Sequence, residues 1–472
     1  MLSELSPSFP GILQERISQT RRGLLGLRDE IKKWIELREK RDLQRQYVTQ
    51  LKTLRIQIEY LLAQVERELE SISAGDGPLS VYARCRVVDK RILWIRRLWT
   101  YFQSKFDQRD DEKLKRVLRA ADDIVWSCYA QPYRVLKIQN QPSQPLPFIT
   151  PVYSPYAIPR DEPPQDLRSD VDAEFLGAML QQMPIPVVGI PAQSIEEPWM
   201  LAFLAHEVGH HVQFDLRNGA MIDSFSDMLL AKGGQRWRPW GKELFADLYS
   251  LLMIGHWALW ALADLVWSDP ASMLDDTNSR YPCALVRLVF MSSVADKLGL
   301  NGSKGLRGLI PAELLDHGPV LIKSRDIRET ARNDLAQVEA VATATAEAHR
   351  VPDGELSKLC EFHPEDFKEY QGVAYLWGEA LAGRGSVAAK KSLRSARLVL
   401  SGGVRAWAEI CELTDEKERE NRRGPLKGGL LSSIVANGED TVRAASAETD
   451  LDSRNRRLAS LVMSSEIPGI GS

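Results

Sequence analysis

His206-Glu207-Val208-Gly209-His210 is the stretch on which the reading of this 472-residue chain turns. Residues four apart on an α-helix stand one above the other, so His206 and His210 can offer both imidazoles to one metal ion. Glu207 lies one step round the same helix, where it can reach a water held by the metal without being a ligand. Two neutral imidazoles suit Zn2+ and leave room for a third protein ligand. The flanks, Trp199-Met200-Leu201-Ala202-Phe203-Leu204-Ala205 before and Val212 after, are apolar or small and predict a helix buried around its metal-binding face. The plain alternative is a chance pattern on a core helix. The chain has only seven histidines, which weighs against it.

Ser194-Ile195-Glu196-Glu197 reads as a capping box, with Pro198 still in the first turn. It predicts a helix starting near Ile195 that carries the histidines about three turns in. Beyond it, Gly241-Lys242-Glu243-Leu244-Phe245-Ala246-Asp247-Leu248-Tyr249 predicts a second, strongly apolar helix. Glu243 and Asp247 are four apart and share a face, which supplies one carboxylate to ligate and another to orient a ligand imidazole. Asp247 in place of Glu243 as ligand is the alternative assignment. His211 points about 100° away from His210, in keeping with an outer or surface role. His256, amid Ile254, Trp257 and Leu259, reads as a core histidine. His317, His349 and His363 sit in ordinary polar contexts.

A His-Glu-x-x-His helix followed by Glu-x-x-Ala-Asp on a later helix resembles the gluzincin zinc metallopeptidases. The closest flavour is the group of CAAX prenyl proteases and bacterial heat-shock proteases. The resemblance covers about residues 183–290. It implies one Zn2+ per chain held by His206, His210 and Glu243, with Glu207 as general base and Asp247 behind the ligands. Members of that group often carry His-Pro with an arginine soon after; here Tyr281-Pro282 precedes Arg287. Tyr281 and Arg287 are therefore candidates to stabilise a developing oxyanion, with buried structural roles as the alternative. A metzincin would need a third histidine six residues past the second, where this chain has Leu216.

The chemistry implied is hydrolysis of a peptide bond by Glu207-assisted attack of a zinc-bound water. Pro186-Val187-Val188-Gly189-Ile190-Pro191 is a short β-rich run just ahead of the zinc helix. Its flanking prolines predict an edge strand. Val187, Val188, Gly189 and Ile190 could then pair with an extended peptide substrate. A purely structural strand is the other reading.

The charge is nearly balanced, 61 basic against 64 acidic residues, so bulk electrostatics do not point to nucleic acid. Five scattered cysteines without metal spacing suit reduced thiols and a cytoplasmic location. Met1-Leu2-Ser3-Glu4-Leu5 shows no basic region leading into an apolar core, so no secretory signal is expected. Residues 248–267 are long and apolar enough to be considered as a membrane span. They include His256 and Asp264 and follow directly from Glu243, which favours a buried helix.

The fold expected is mainly α with an α+β catalytic core. A zincin-like metallopeptidase module, built of a small sheet and an active-site helix, lies between long N-terminal helices and a C-terminal helical region. The expected boundaries are a helical or coiled-coil arm over 1–130, a proline-rich connector over 131–164, the metallopeptidase domain over 165–300, a helical domain over 301–413, and a polar, partly disordered tail over 414–472. Tyr47, Leu51, Leu54, Ile58, Leu61 and Val65 follow the 4–3 spacing of a coiled-coil seam. Residues 12–72 accordingly pair either with a coiled-coil partner or second copy, or with 81–128 of the same chain. Residues 84–119 carry twelve Lys/Arg against five Asp/Glu, interleaved with Trp94, Trp99, Tyr101 and Phe102. A nucleic-acid surface and an ordinary solvated helix face are both readings of that stretch. The leading expectation is a zinc endopeptidase regulated by its helical arm. The alternatives are a helical interaction protein with a structural or inactive zinc site, and a protease controlled by nucleic-acid sensing.

Overall fold

The computed structural model describes residues 9–39, 47–138, 141–158, 173–183, 185–216, 220–300, 321–322, 325–350, 364–439, 443 and 451–464. They are mainly helical, with one three-stranded and one two-stranded sheet, and they divide into two compact units. One unit takes residues 1–107, 158–186 and 441–472; the other takes 108–157 and 187–440.

In the first unit, helices α1 (Phe9–Glu39), α2 (Val48–Glu70) and α3 (Pro78–Asp107) pack against one another. The residues of the 4–3 seam, Tyr47, Leu51, Leu54, Ile58, Leu61 and Val65, are all buried. Their apolar face is thus spent against helices of the same chain. Trp94, Trp99 and Phe102 of the basic stretch are inside as well: Trp99 meets Trp34 edge-on with ring centroids 4.8 Å apart, and Trp94 meets Phe175 at 4.6 Å. Some of its cations face acids, Arg84 with Asp76 at 2.9 Å and Arg96 with Glu30 at 2.9 Å. Helices α5 (Ala173–Gln181) and α16 (Leu451–Met463) complete the unit. Arg91, on α3, is buried and donates from Nε to the Val462 carbonyl (3.1 Å) and from Nη2 to the Met463 carbonyl (2.6 Å). It also pairs with Glu68 on α2. The open carbonyls at the end of α16 are thereby answered by a side chain from α3.

The second unit begins with α4 (Glu112–Val135), whose first N–H groups are capped by Asp111. The proline-rich stretch that follows is more than a connector. It supplies β1 (Leu146–Thr150) and β2 (Tyr156–Ile158), which flank β3 (Val187–Pro191) in the order β1-β3-β2. β1 and β3 run parallel, with Phe148 opposite Gly189. Pro147 is tolerated because β1 has a neighbour strand on one side only. The side chain of Gln108 closes β1 further, donating to the Ile149 carbonyl at 2.8 Å and accepting from its N–H at 2.7 Å.

After the sheet come α6 (Phe203–Asp215), α7 (Ala220–Gly233), α8 (Gly241–Ile254), α9 (Trp257–Val266), α10 (Pro270–Met273) and α11 (Ala284–Lys297). The apolar run over 248–267 is two helices, broken where Gly255 takes φ 73°. No described helix is long and apolar enough to cross a membrane. A two-residue hairpin pair, β4 (Leu321–Ile322) with β5 (Arg325–Asp326), leads into α12 (Ile327–Arg350), α13 (Pro364–Leu381), α14 (Ser395–Cys411) and α15 (Glu416–Asn437).

Two expected boundaries need correction. The polar tail after 414 holds α15, with Asp415 as its N-cap and Leu426, Leu430, Leu431 and Ile434 buried at helical spacing. Four apolar residues on one face suffice to dock a helix whose remaining surface is charged. The unit holding His206 and His210 also runs on to residue 440, so no boundary falls near 300 or 413.

Candidate metal centre

The helix bearing the motif starts later than its sequence suggests. Residues Ala192–Ile195 and Pro198–Ala202 form 3-10 turns, and α6 proper begins at Phe203. Ser194 makes no capping bond; its side chain is fully buried, so no capping box forms. His206 and His210 therefore stand in the first two turns of α6, one turn apart, as their spacing requires.

What brings the partner helix close is Gly209. A Cβ built there would lie 3.0 Å from the Ala246 Cα and 3.1 Å from the Tyr249 Cβ. With no side chain at 209 and a methyl at 246, α6 and α8 come into near-backbone contact, and Glu243 reaches both histidines. The His206 and His210 Nε2 atoms are 3.1 Å apart. Glu243 Oε2 lies 3.5 Å from His206 Nε2, and Oε1 lies 3.4 Å from His210 Nε2. Tetrahedral bonds of about 2.0–2.1 Å would place neighbouring ligand atoms about 3.3 Å apart. Two imidazole nitrogens and a carboxylate at these spacings fit a zinc-type ion, and they form the one such metal-competent cluster among the described residues.

Behind these three residues lies a largely enclosed ionic network. Asp247 Oδ1 accepts from His206 Nδ1 at 2.9 Å, which directs Nε2 towards the cluster. Arg287, on α11, grips Asp247 with two bonds, Nε to Oδ2 at 2.6 Å and Nη2 to Oδ1 at 2.7 Å. Its Nη2 is also 3.5 Å from Glu243 Oε2. Burial alone would neutralise Asp247, but Arg287 and His206 hold its carboxyl below the usual range. Glu243 is likewise held down, against burial, by His210, His206 and Arg287. Burial opposes the charge on Arg287, yet Asp247, Glu243 and Glu207 raise its pKa. The two histidines differ. Burial works against the charge on His206 but its bonds to Asp247 and Glu243 push it up to about 9, whereas burial drives His210 down to about 4. Binding a cation at His206 therefore has to displace a proton.

Glu207 is buried, and burial, with Glu243 adding to it, pushes its carboxyl up to about 7 against the pull of His206. Tyr281 is 39% exposed; burial of part of its ring raises the phenol, and Glu243 and Glu207 are near enough to raise it further. Arg287, by contrast, is committed to Asp247. The sequence reading thus assembles His206, Glu207, His210, Glu243 and Asp247 in one place. Glu243, not Asp247, faces both imidazoles.

The expectation of an edge strand in Val187, Val188, Gly189 and Ile190 is overturned. β3 is the central strand and is buried throughout. Its prolines sit before it and at its last position, where a missing N–H disturbs no ladder, and the Tyr156 ring lies over Gly189. His211 is buried rather than at the surface. His256 is largely enclosed at the head of α9. His317 and His363 lie outside the described residues, as does the side chain of His349. One residue that no motif flagged is Gln213, fully buried, whose side-chain amide is 2.9 Å from His210 Nδ1. Comparison with known protein families, with curated proteins and with solved structures finds no match to this chain.

Proposed function

We propose that this chain is a zinc-dependent endopeptidase of zincin-like architecture, with His206, His210 and Glu243 as ligands and Glu207 as general base. The observation that carries it is the convergence of two imidazole nitrogens 3.1 Å apart with the Glu243 carboxylate, which places one oxygen 3.4–3.5 Å from each, and a second carboxylate, Glu207, on the same helix as the histidines. Zinc bound here would supply a Lewis acid that polarises a carbonyl and acidifies water. Glu207, titrating near 7, can take a proton at physiological pH and return it to a leaving amine. Asp247 keeps His206 in the tautomer that presents Nε2, and Arg287 keeps Asp247 ionised. Tyr281, half-exposed and close enough to Glu243 and Glu207 to feel their charge, is a candidate to stabilise charge on a substrate oxygen.

A second reading is favoured by the sheet. β3 is flanked on both sides and Gln108 closes β1, so neither offers the free edge expected to seat a peptide. A helical interaction protein with a structural zinc site would need no such edge, but it would have no use for Glu207.

Zinc content and cleavage of a protein substrate decide between them. Wild type should hold about one zinc per chain. His206→Ala and Glu243→Ala should lose it. Glu207→Gln should keep the metal and lose cleavage by about 100-fold or more. Full activity in Glu207→Gln would refute the peptidase assignment, and zinc-free, folded wild type would refute the metal site.

A further inference from the structure

Gln213 is one turn beyond His210 on α6, with its side chain completely buried and its amide 2.9 Å from His210 Nδ1. The amide's other end, placed as Oε1, is buried and meets no hydrogen-bond partner among the described residues. An amide's oxygen and nitrogen exchange places by a half-turn, so the orientation follows from what the ring requires. If the amide nitrogen donated to Nδ1, the imidazole proton would sit on Nε2. It would then point into the cluster, where His206 Nε2 is 3.1 Å away. That tautomer has no lone pair for a metal. If the amide oxygen faces Nδ1 instead, it accepts the Nδ1 proton and leaves the Nε2 lone pair free.

We propose that Gln213 is a positioning residue that fixes His210 as the Nδ1–H tautomer through its side-chain oxygen, as Asp247 does for His206. It rests on the zinc reading above and deepens it. The two imidazoles are then held from behind by different chemistry, His206 by a carboxylate tied to Arg287 and His210 by a neutral amide. A neutral acceptor fits that place, because Glu207, Glu243 and Asp247 already act together on Arg287 and a further buried carboxylate would add to that charge. Sequence reasoning passes over it because His-x-x-Gln on a helix carries no motif, and its meaning appears only when the amide is seen to face the ring.

The test is zinc affinity, measured by competition with a chromogenic chelator on the full-length chain. Wild type, Gln213→Met and Gln213→Glu are compared, each with a melting curve of its chelator-stripped form. Gln213→Met keeps the volume but offers no acceptor and should bind zinc about 10–100-fold more weakly. Gln213→Glu, which can still accept from Nδ1–H, should bind at least tenfold tighter than Gln213→Met. Both stripped variants should melt cooperatively, which separates a lost orienting bond from a lost fold. Equal zinc affinity in Gln213→Met and wild type would overturn the inference and leave the metal site standing. Equal weakening in both variants would overturn it too, since that outcome marks a packing role. Wild type that binds no zinc would instead refute the site itself.

Discussion

Arg287 and Arg91 are both largely enclosed arginines, one beside the candidate metal cluster and one in the N-terminal helical unit; burial lowers the pKa of each, yet their net shifts run in opposite directions. Arg287 is enclosed by Asp247, Glu243 and Glu207, and those carboxylates raise its pKa despite desolvation. Arg91 has one carboxylate, Glu68, and spends its other donors on the end carbonyls of α16; there burial prevails and its pKa falls. A guanidinium that neutralises several acids holds a charge array in shape. One that caps a helix secures packing. His256 extends the series: it has no acid to offset its burial and is driven down to about 4, so it remains neutral at physiological pH.

Three measurements would break or sharpen this contrast. Arg287→Met leaves Asp247 buried with only an imidazole for a partner, so the loss should be the largest, about 3–5 kcal/mol by chemical denaturation. It should also weaken zinc binding, and an unchanged stability would show that the array does not depend on its cation. Arg91→Met should cost less, about 1–3 kcal/mol, because its partners are carbonyls and a partly exposed Glu68. Hydrogen exchange should report the loss as faster opening of α16, with zinc affinity untouched. A change in zinc binding there would erase the distinction drawn between the two arginines.

His256 should have no effect at neutral pH and a visible one in acid. Its folded pKa of about 4 lies below the ordinary value of 6.5, so between them the unfolded chain binds more protons than the folded one. Its contribution to stability is therefore present above 6.5 and is lost as the pH falls towards 4. His256→Gln should flatten that part of a stability–pH curve. If the curve keeps its slope, the acid sensitivity belongs to other groups.

The site was far more legible in the sequence than its surroundings. Histidines four apart and carboxylates four apart fall on single helix faces whatever the tertiary context, and the seam from Tyr47 to Val65 is fixed by the same periodicity. Features that depend on neighbours were not legible. Ser194 looks like a cap but is enclosed and makes no bond. Val187–Pro191 reads as an edge because nothing in it reveals that strands from the proline-rich stretch will flank it. The helix at 416–437 is hidden by its charge, since only the placing of four apolar residues shows that it docks. Gln213 is of this kind too.

Gly209 has a consequence for the dimensions of the candidate centre. The separation of α6 and α8 is set by a backbone meeting a backbone, with Ala246 Cα where a side chain at 209 would have to go. That separation in turn sets the size of the triangle formed by the two imidazoles and Glu243. A single methyl at 209 would force a displacement of a few tenths of an ångström, comparable to the tolerance of about 0.2 Å expected of ligand distances in a metal site. The missing side chain thus acts as a gauge block: it sets how far apart the two imidazoles and Glu243 stand.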